Sequence, residues 1–84
     1  MSGDIEQRLN RASQARARSL AAHEQARKTH QRAAELHDQA ARFQELHAAA
    51  ERELGHTAKA EKMEAAASRA RDRARAEHLR AELS

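Results

Sequence analysis

Between Asp4 and Leu54 the chain contains neither glycine nor proline. A run of that length, made almost wholly of good helix formers, satisfies its own backbone hydrogen bonds in one way, as a continuous α-helix. A sheet is excluded by what is missing. Val, Trp and Tyr are absent, Phe43 is the sole aromatic residue, and Ile5, Thr29 and Thr57 are the only β-branched side chains. Asp4 is the candidate N-cap, and Gln7 completes a capping-box-like pair with it.

Spacing says which face of this helix is apolar. One series at intervals of seven runs Ile5, Ala12, Ser19, Ala26, Ala33, Ala40, His47, Leu54. A second, three residues on, runs Arg8, Ala15, Ala22, Thr29, Leu36, Phe43, Ala50. Eleven of these fifteen positions are apolar, whereas Asn10, Ala17, Glu24, Gln31, Asp38, Glu45 and Arg52 on the opposite side include one apolar residue. That contrast is a coiled-coil pattern, and the pairs Glu24–Lys28 and Asp38–Arg42 suit a solvated helix surface.

Gly55 sits where a left-handed C-terminal residue is expected, and His56-Thr57 supplies a turn with Thr57 as the next N-cap. Carried past Leu54, the first phase lands on Thr57, Glu61, Glu64, Ser68, Arg71, Arg75, His78 and Glu82, all polar. The apolar row of the second segment is instead Ala60, Met63, Ala67, Ala70, Ala74, with Leu79 and Leu83 drifting to one side. A chain break at 55–57 explains this one-residue slip, which coiled coils do not absorb smoothly. Residues 1–84 are therefore expected to form one all-α domain, an antiparallel hairpin with a long helix over about 4–54 and a shorter one over about 57–83. Folded back, the second helix reaches roughly to Thr29 and sets Met63 near Ala49 and Ala50, and Ala74 near Leu36.

Large apolar side chains are too few for a compact monomer, and alanine, with 22 residues, makes up much of the rest. The expected interface is Ile5, Leu9, Ala12, Ala15, Ala22 and Ala26, which have no cover inside the chain, continued by Leu36 and Phe43. Its partner is a second copy or another helical protein. An antiparallel homodimer is favoured, packed as a bundle, because a parallel one sets Arg11 against Arg16 and Arg18 against His23. Reversal brings Arg11 towards Glu53 and sets Ser19 against Phe43 and Ala26 against Leu36.

His23, His30 and His37 recur at intervals of seven along one edge. A metal ion needs ligands three or four residues apart on one helix, which no pair of histidines here provides, so no metal site is assigned within a single chain. In the antiparallel dimer His30 faces His30 and His23 faces His37. The row then reads as a solvated flank, as two-ligand metal pairs, or as a pH-dependent lock that loosens when protons add to the charge of Arg16, Arg18 and Arg32.

A pI of 10.2 and the run Arg69, Arg71, Arg73, Arg75 raise nucleic acid as an alternative partner. Residues two apart point to nearly opposite sides of a helix, and Asp72 and Glu77 interrupt the run, so the arrangement fits a solvated surface better than a phosphate-tracking stripe. The apolar face is mostly alanine, without the Trp or dense Leu that insert at a membrane surface, and nothing in the sequence resembles a span or a signal peptide, so no membrane partner is expected. No cysteine, glycine-rich phosphate loop or base-activated serine supports an enzyme, a cofactor or a small-molecule substrate. The expectation is a non-enzymatic, cytoplasmic assembly or adaptor protein.

Residues 30–48, His-Gln-Arg-Ala-Ala-Glu-Leu-His-Asp-Gln-Ala-Ala-Arg-Phe-Gln-Glu-Leu-His-Ala, resemble short Ala-, Arg- and His-rich helical proteins of high-GC actinobacteria. The likeness spans residues 20–70. It implies a bacterial, cytoplasmic helical protein and transfers no functional residue. Leu54-Gly55 followed by Ala60 is also similar to the helix junction of a tetratricopeptide repeat, but that repeat's aromatic and proline positions and a second copy are missing.

Overall fold

The computed structural model describes residues 2–84. They form two α-helices, α1 (Ser2–Glu53) and α2 (Thr57–Leu83), which pack antiparallel as the expected hairpin. The Cα trace is a rod, 81 Å long and 14 by 12 Å across. α2 covers part of α1, and from Gly3 to Gln25 every residue of α1 is exposed.

The helix ends are set by the backbone more than by capping side chains. α1 begins before Asp4, which therefore lies inside the first turn, where a carboxylate suits the positive end of the helix. Thr57 is likewise the first residue of α2 and not its N-cap; His56 holds that place without a side-chain capping bond. Between the helices Gly55 has φ +79°, the left-handed conformation its position called for. The N–H of His56 donates to the carbonyl of Glu51 at 2.8 Å, and that of Gly55 to the carbonyl of Arg52 at 3.0 Å. These two bonds are a Schellman closure, which satisfies carbonyls that α1 would leave open.

Among the described residues every buried side chain is an alanine. On α2 they are Ala60, Ala67, Ala70, Ala74 and Ala81, the row expected from the sequence, with Met63 half-buried in line. On α1 they are Ala34, Ala41 and Ala48, with His30, His37, Gln44 and Glu51 half-buried beside them. This corrects the expected seam. Leu36 and Phe43, placed there by apolar spacing, are 59% and 60% exposed. The row that packs lies one residue further along the chain, about 100° around the helix.

Two features of α2 select that row. First, α2 presents alanine at every seventh residue, and α1 answers with alanine at every seventh, so the backbones approach closely and gain dispersion contacts along their whole overlap. Phe43 or Leu36 in the same place would hold the helices apart. Second, the charges along one edge match. Arg52 is bidentate to Glu64 (2.6 and 2.9 Å), Arg71 is bidentate to Glu45 (2.8 and 2.9 Å), and His78 lies 3.7 Å from Asp38. Each step of seven down α1 is met by a step of seven up α2. Asp38 thus faces Arg71 and His78 across the hairpin, where the sequence had suggested Arg42. Glu24–Lys28, beyond the reach of α2, forms its local pair at 3.6 Å.

Candidate functional site

Packing through the alanine row leaves the other row bare. The stripe that runs through Ile5, Ala12, Ala15, Ala22, Leu36, Ala40, Phe43, Ala50 and Leu54 is exposed along nearly the full length of α1. The uncovered stretch expected from Ile5 to Ala26 thus continues to the turn. Of the expected interface, Ala26 is half-buried where α2 ends, and Ile5, Leu9, Ala12, Ala15, Ala22, Leu36 and Phe43 are all exposed. Ile5 is 60% and Leu54 68% accessible. The Phe43 ring stacks on His47 with centroids 4.4 Å apart, so its own helix shields one side of the ring and the rest faces solvent. Leu46, which borders the stripe beside Phe43 and Ala50, is exposed as well, as are Leu79 and Leu83 on α2.

The histidines are divided by the fold. His23 stays on the exposed half of α1, whereas His30 and His37 turn towards α2. Nδ1 of His30 lies 2.6 Å from Oε2 of Glu77, a carboxylate whose other oxygen accepts from Arg80 at 2.8 Å. The hydrogen bond from His30 is the main reason that Glu77 ionises below the usual carboxylate range, with the Arg80 charge adding to it. His56 bonds Glu51 at 2.5 Å across the turn and lowers that carboxyl in the same way, with Lys59 assisting. The three histidines keep their interval of seven along α1, but α2 covers two of them and leaves His23 bare, and the near neighbour of the His30 ring is the Glu77 carboxylate. Among the described residues no three histidine or acidic side chains converge as a metal site would require.

No family model, curated protein or solved structure matches this chain.

The arginine run of α2 is partly committed to holding the hairpin. Arg71 serves Glu45 and Asp38, and Arg75 is paired with Asp72, which leaves Arg69 and Arg73 without a carboxylate partner among the described residues. The run weighed as an alternative nucleic-acid contact is thus split between hairpin pairing and solvent. Sequence reasoning had overlooked the edge formed by Glu45, Arg52, Glu64 and Arg71, whose signal was present. Sliding the two helices past each other in each phase and matching charges seven residues apart would have found it. Two open depressions, one lined by Gln25, Lys28, Thr29 and Arg32 and one by Asp4, Gln7, Arg8 and Arg11, lie on α1 alone, and neither is enclosed. Among the described residues no helix is long and apolar enough to cross a membrane.

Proposed function

We propose that the chain is a non-enzymatic helical assembly protein whose working surface is the bare stripe of α1. One observation carries this reading. A phenylalanine, an isoleucine and two leucines (Phe43, Ile5, Leu36, Leu54) stand 59–68% exposed at positions of one heptad pattern, while the neighbouring alanine row of α1 is already occupied. Hydrophobic patches of that length on a folded surface mark protein interfaces. The test compares two double variants. Leu36→Gln with Phe43→Gln is expected to abolish association with protein partners, self or otherwise, as read by sedimentation velocity and affinity capture. Leu79→Gln with Leu83→Gln, at least as exposed but on α2, is expected to leave it intact. Circular dichroism should show the same helix content in both.

A second reading rests on Arg8, Arg11, Arg16 and Arg18, a basic stretch with no carboxylate partner among the described residues. It makes the exposed half of α1 a contact for nucleic acid through phosphate charge alone, since aromatic residues for base stacking are missing there. Salt-dependent binding to nonspecific DNA or RNA, lost on changing these four residues to Gln, would favour it over the assembly reading.

A further inference from the structure

We infer that the occupant of the stripe is a second copy of this chain, laid antiparallel along α1 with the two-fold axis close to Gln31. This rests on the assembly reading above and names its partner. The fold makes it feasible because, apart from half-buried Ala26 and Ala33, the stripe is bare on both halves of α1, so each half of one copy can cover the opposite half of the other. Reversal about Gln31 then pairs small with large. Ser19 meets Phe43, Ala26 meets Leu36, and Ala22 meets Ala40. The overlap from Arg8 to Leu54 spans about 70 Å at 1.5 Å per residue, well beyond the three or four heptads that sustain a coiled coil.

Charge selects both the direction and the partner. From Arg8 to Arg18 the chain carries four arginines and no acid, and from Gln44 to Leu54 it carries Glu45, Glu51 and Glu53 against Arg52. A parallel pair sets the basic stretch against itself; the reversed pair sets it against the acidic end. Arg11 and Glu53, both without an ion pair among the described residues, come together on the outer edge. The opposite edge of the stripe is where α2 sits, so the two shorter helices lie outside the pair of long ones. His30 and His37 face α2 in this arrangement and do not meet at the axis. Arg32 does meet its own copy there, which is the one like-charge contact on the outer edge.

The experiment uses the absence of cysteine in the chain. Ala22→Cys and Ala40→Cys are prepared separately, oxidised alone and then mixed. The mixture is expected to give a disulfide-linked dimer quickly, and each variant alone is not. Crosslinking of each variant with itself would show a parallel pair and overturn the proposal. Sedimentation of the full chain should show a dimer. In that assay Leu36→Gln with Phe43→Gln weakens dimerisation by at least about tenfold, since each large side chain is buried twice in a symmetric pair. Arg11→Glu and Glu53→Arg each weaken it, the two together restore it, and Arg32→Gln tightens it. A monomer that captures a different protein through the stripe overturns the second-copy inference and leaves the assembly reading standing. A dimer indifferent to Leu36 and Phe43 overturns both.

Discussion

The two apolar rows of α1 are one residue out of phase and do opposite things. One is made of Ala34, Ala41 and Ala48, and is no more than 2% exposed. The other carries Leu36, Phe43 and Leu54, and is about three-fifths or more exposed. By transfer free energy alone the larger side chains have more to gain from burial, about 1.5–3 kcal/mol each against under 1 kcal/mol for an alanine methyl. The smaller ones are buried because the partner helix brings its own alanines at the same interval and charges that fit the adjoining edge. Burial here follows complementarity between two surfaces, and the residue with the most to lose from water can be the one left in it. The alanine row holds the chain to itself, and the Leu–Phe stripe is left exposed.

Substitution at the two rows should therefore differ in kind. Ala41 is fully buried within a cluster with Ala67 and Ala70. Ala41→Leu forces the helices apart and is expected to cost about 2–3 kcal/mol, lowering the urea midpoint at every protein concentration. Phe43→Ala is expected to change the stability of the isolated hairpin by no more than about 0.5 kcal/mol. Its effect should grow with protein concentration as the associated form becomes populated. Equal, concentration-independent losses for the two variants would break the comparison.

Gly55 tests the connection that lets α2 reach the alanine row. Nothing lies within 4 Å of where its Cβ would be, so the cost of a side chain there is one of backbone alone. Gly55→Ala is expected to destabilise the hairpin by about 1 kcal/mol, with Gly55→Asn losing less. Thermal unfolding followed by circular dichroism would show this order, and equal stability for Ala and Gly would contradict it.

The charged edge contributes less, because its members are solvated. A double-mutant cycle on Glu45 and Arg71 is expected to return a coupling near the lower end of what exposed pairs give, and smaller still in high salt. Its pH dependence has a definite sign. Hydrogen bonds from Arg71, Arg52 and His30 hold Glu45, Glu64 and Glu77 below the usual carboxylate range. A carboxyl with a lowered folded-state pKa adds stability above its unfolded value, near pH 4.3, and that stability is lost as pH falls through the lowered value. Melting temperature should thus decline on acidification below about pH 4–5. Glu45→Gln with Glu64→Gln should flatten that decline. A rising melting temperature in this window would rule the edge out as a contributor.

Much of this hairpin was legible beforehand because its causes are local. The absence of helix breakers fixes α1, Gly55 requires a left-handed residue, and the one-residue slip beyond it announces a second helix. The alanine row of α2 could be read directly, since there it is also the most apolar row. On α1 the same method chose wrongly. Counting apolar residues favours the stripe with Leu36 and Phe43 over a row whose neighbours are His30, His37, Gln44 and Glu51. Those four long polar side chains can lay their stems beside alanine and carry their heads outward, so their polarity is a poor guide to burial. The choice of row also divides the histidines spaced at seven: His30 and His37 are half-buried beside α2, and His23 stays exposed.

Sequence by itself determined that the chain is two helices joined at a glycine, and that α1 carries a long apolar stripe. Both follow from propensity and periodicity within a few turns. Tertiary structure decided which of the two rows of α1 receives α2, and so which one is left over. That choice depends on a property neither helix has alone: how closely two surfaces approach, and whether their charges meet when they do.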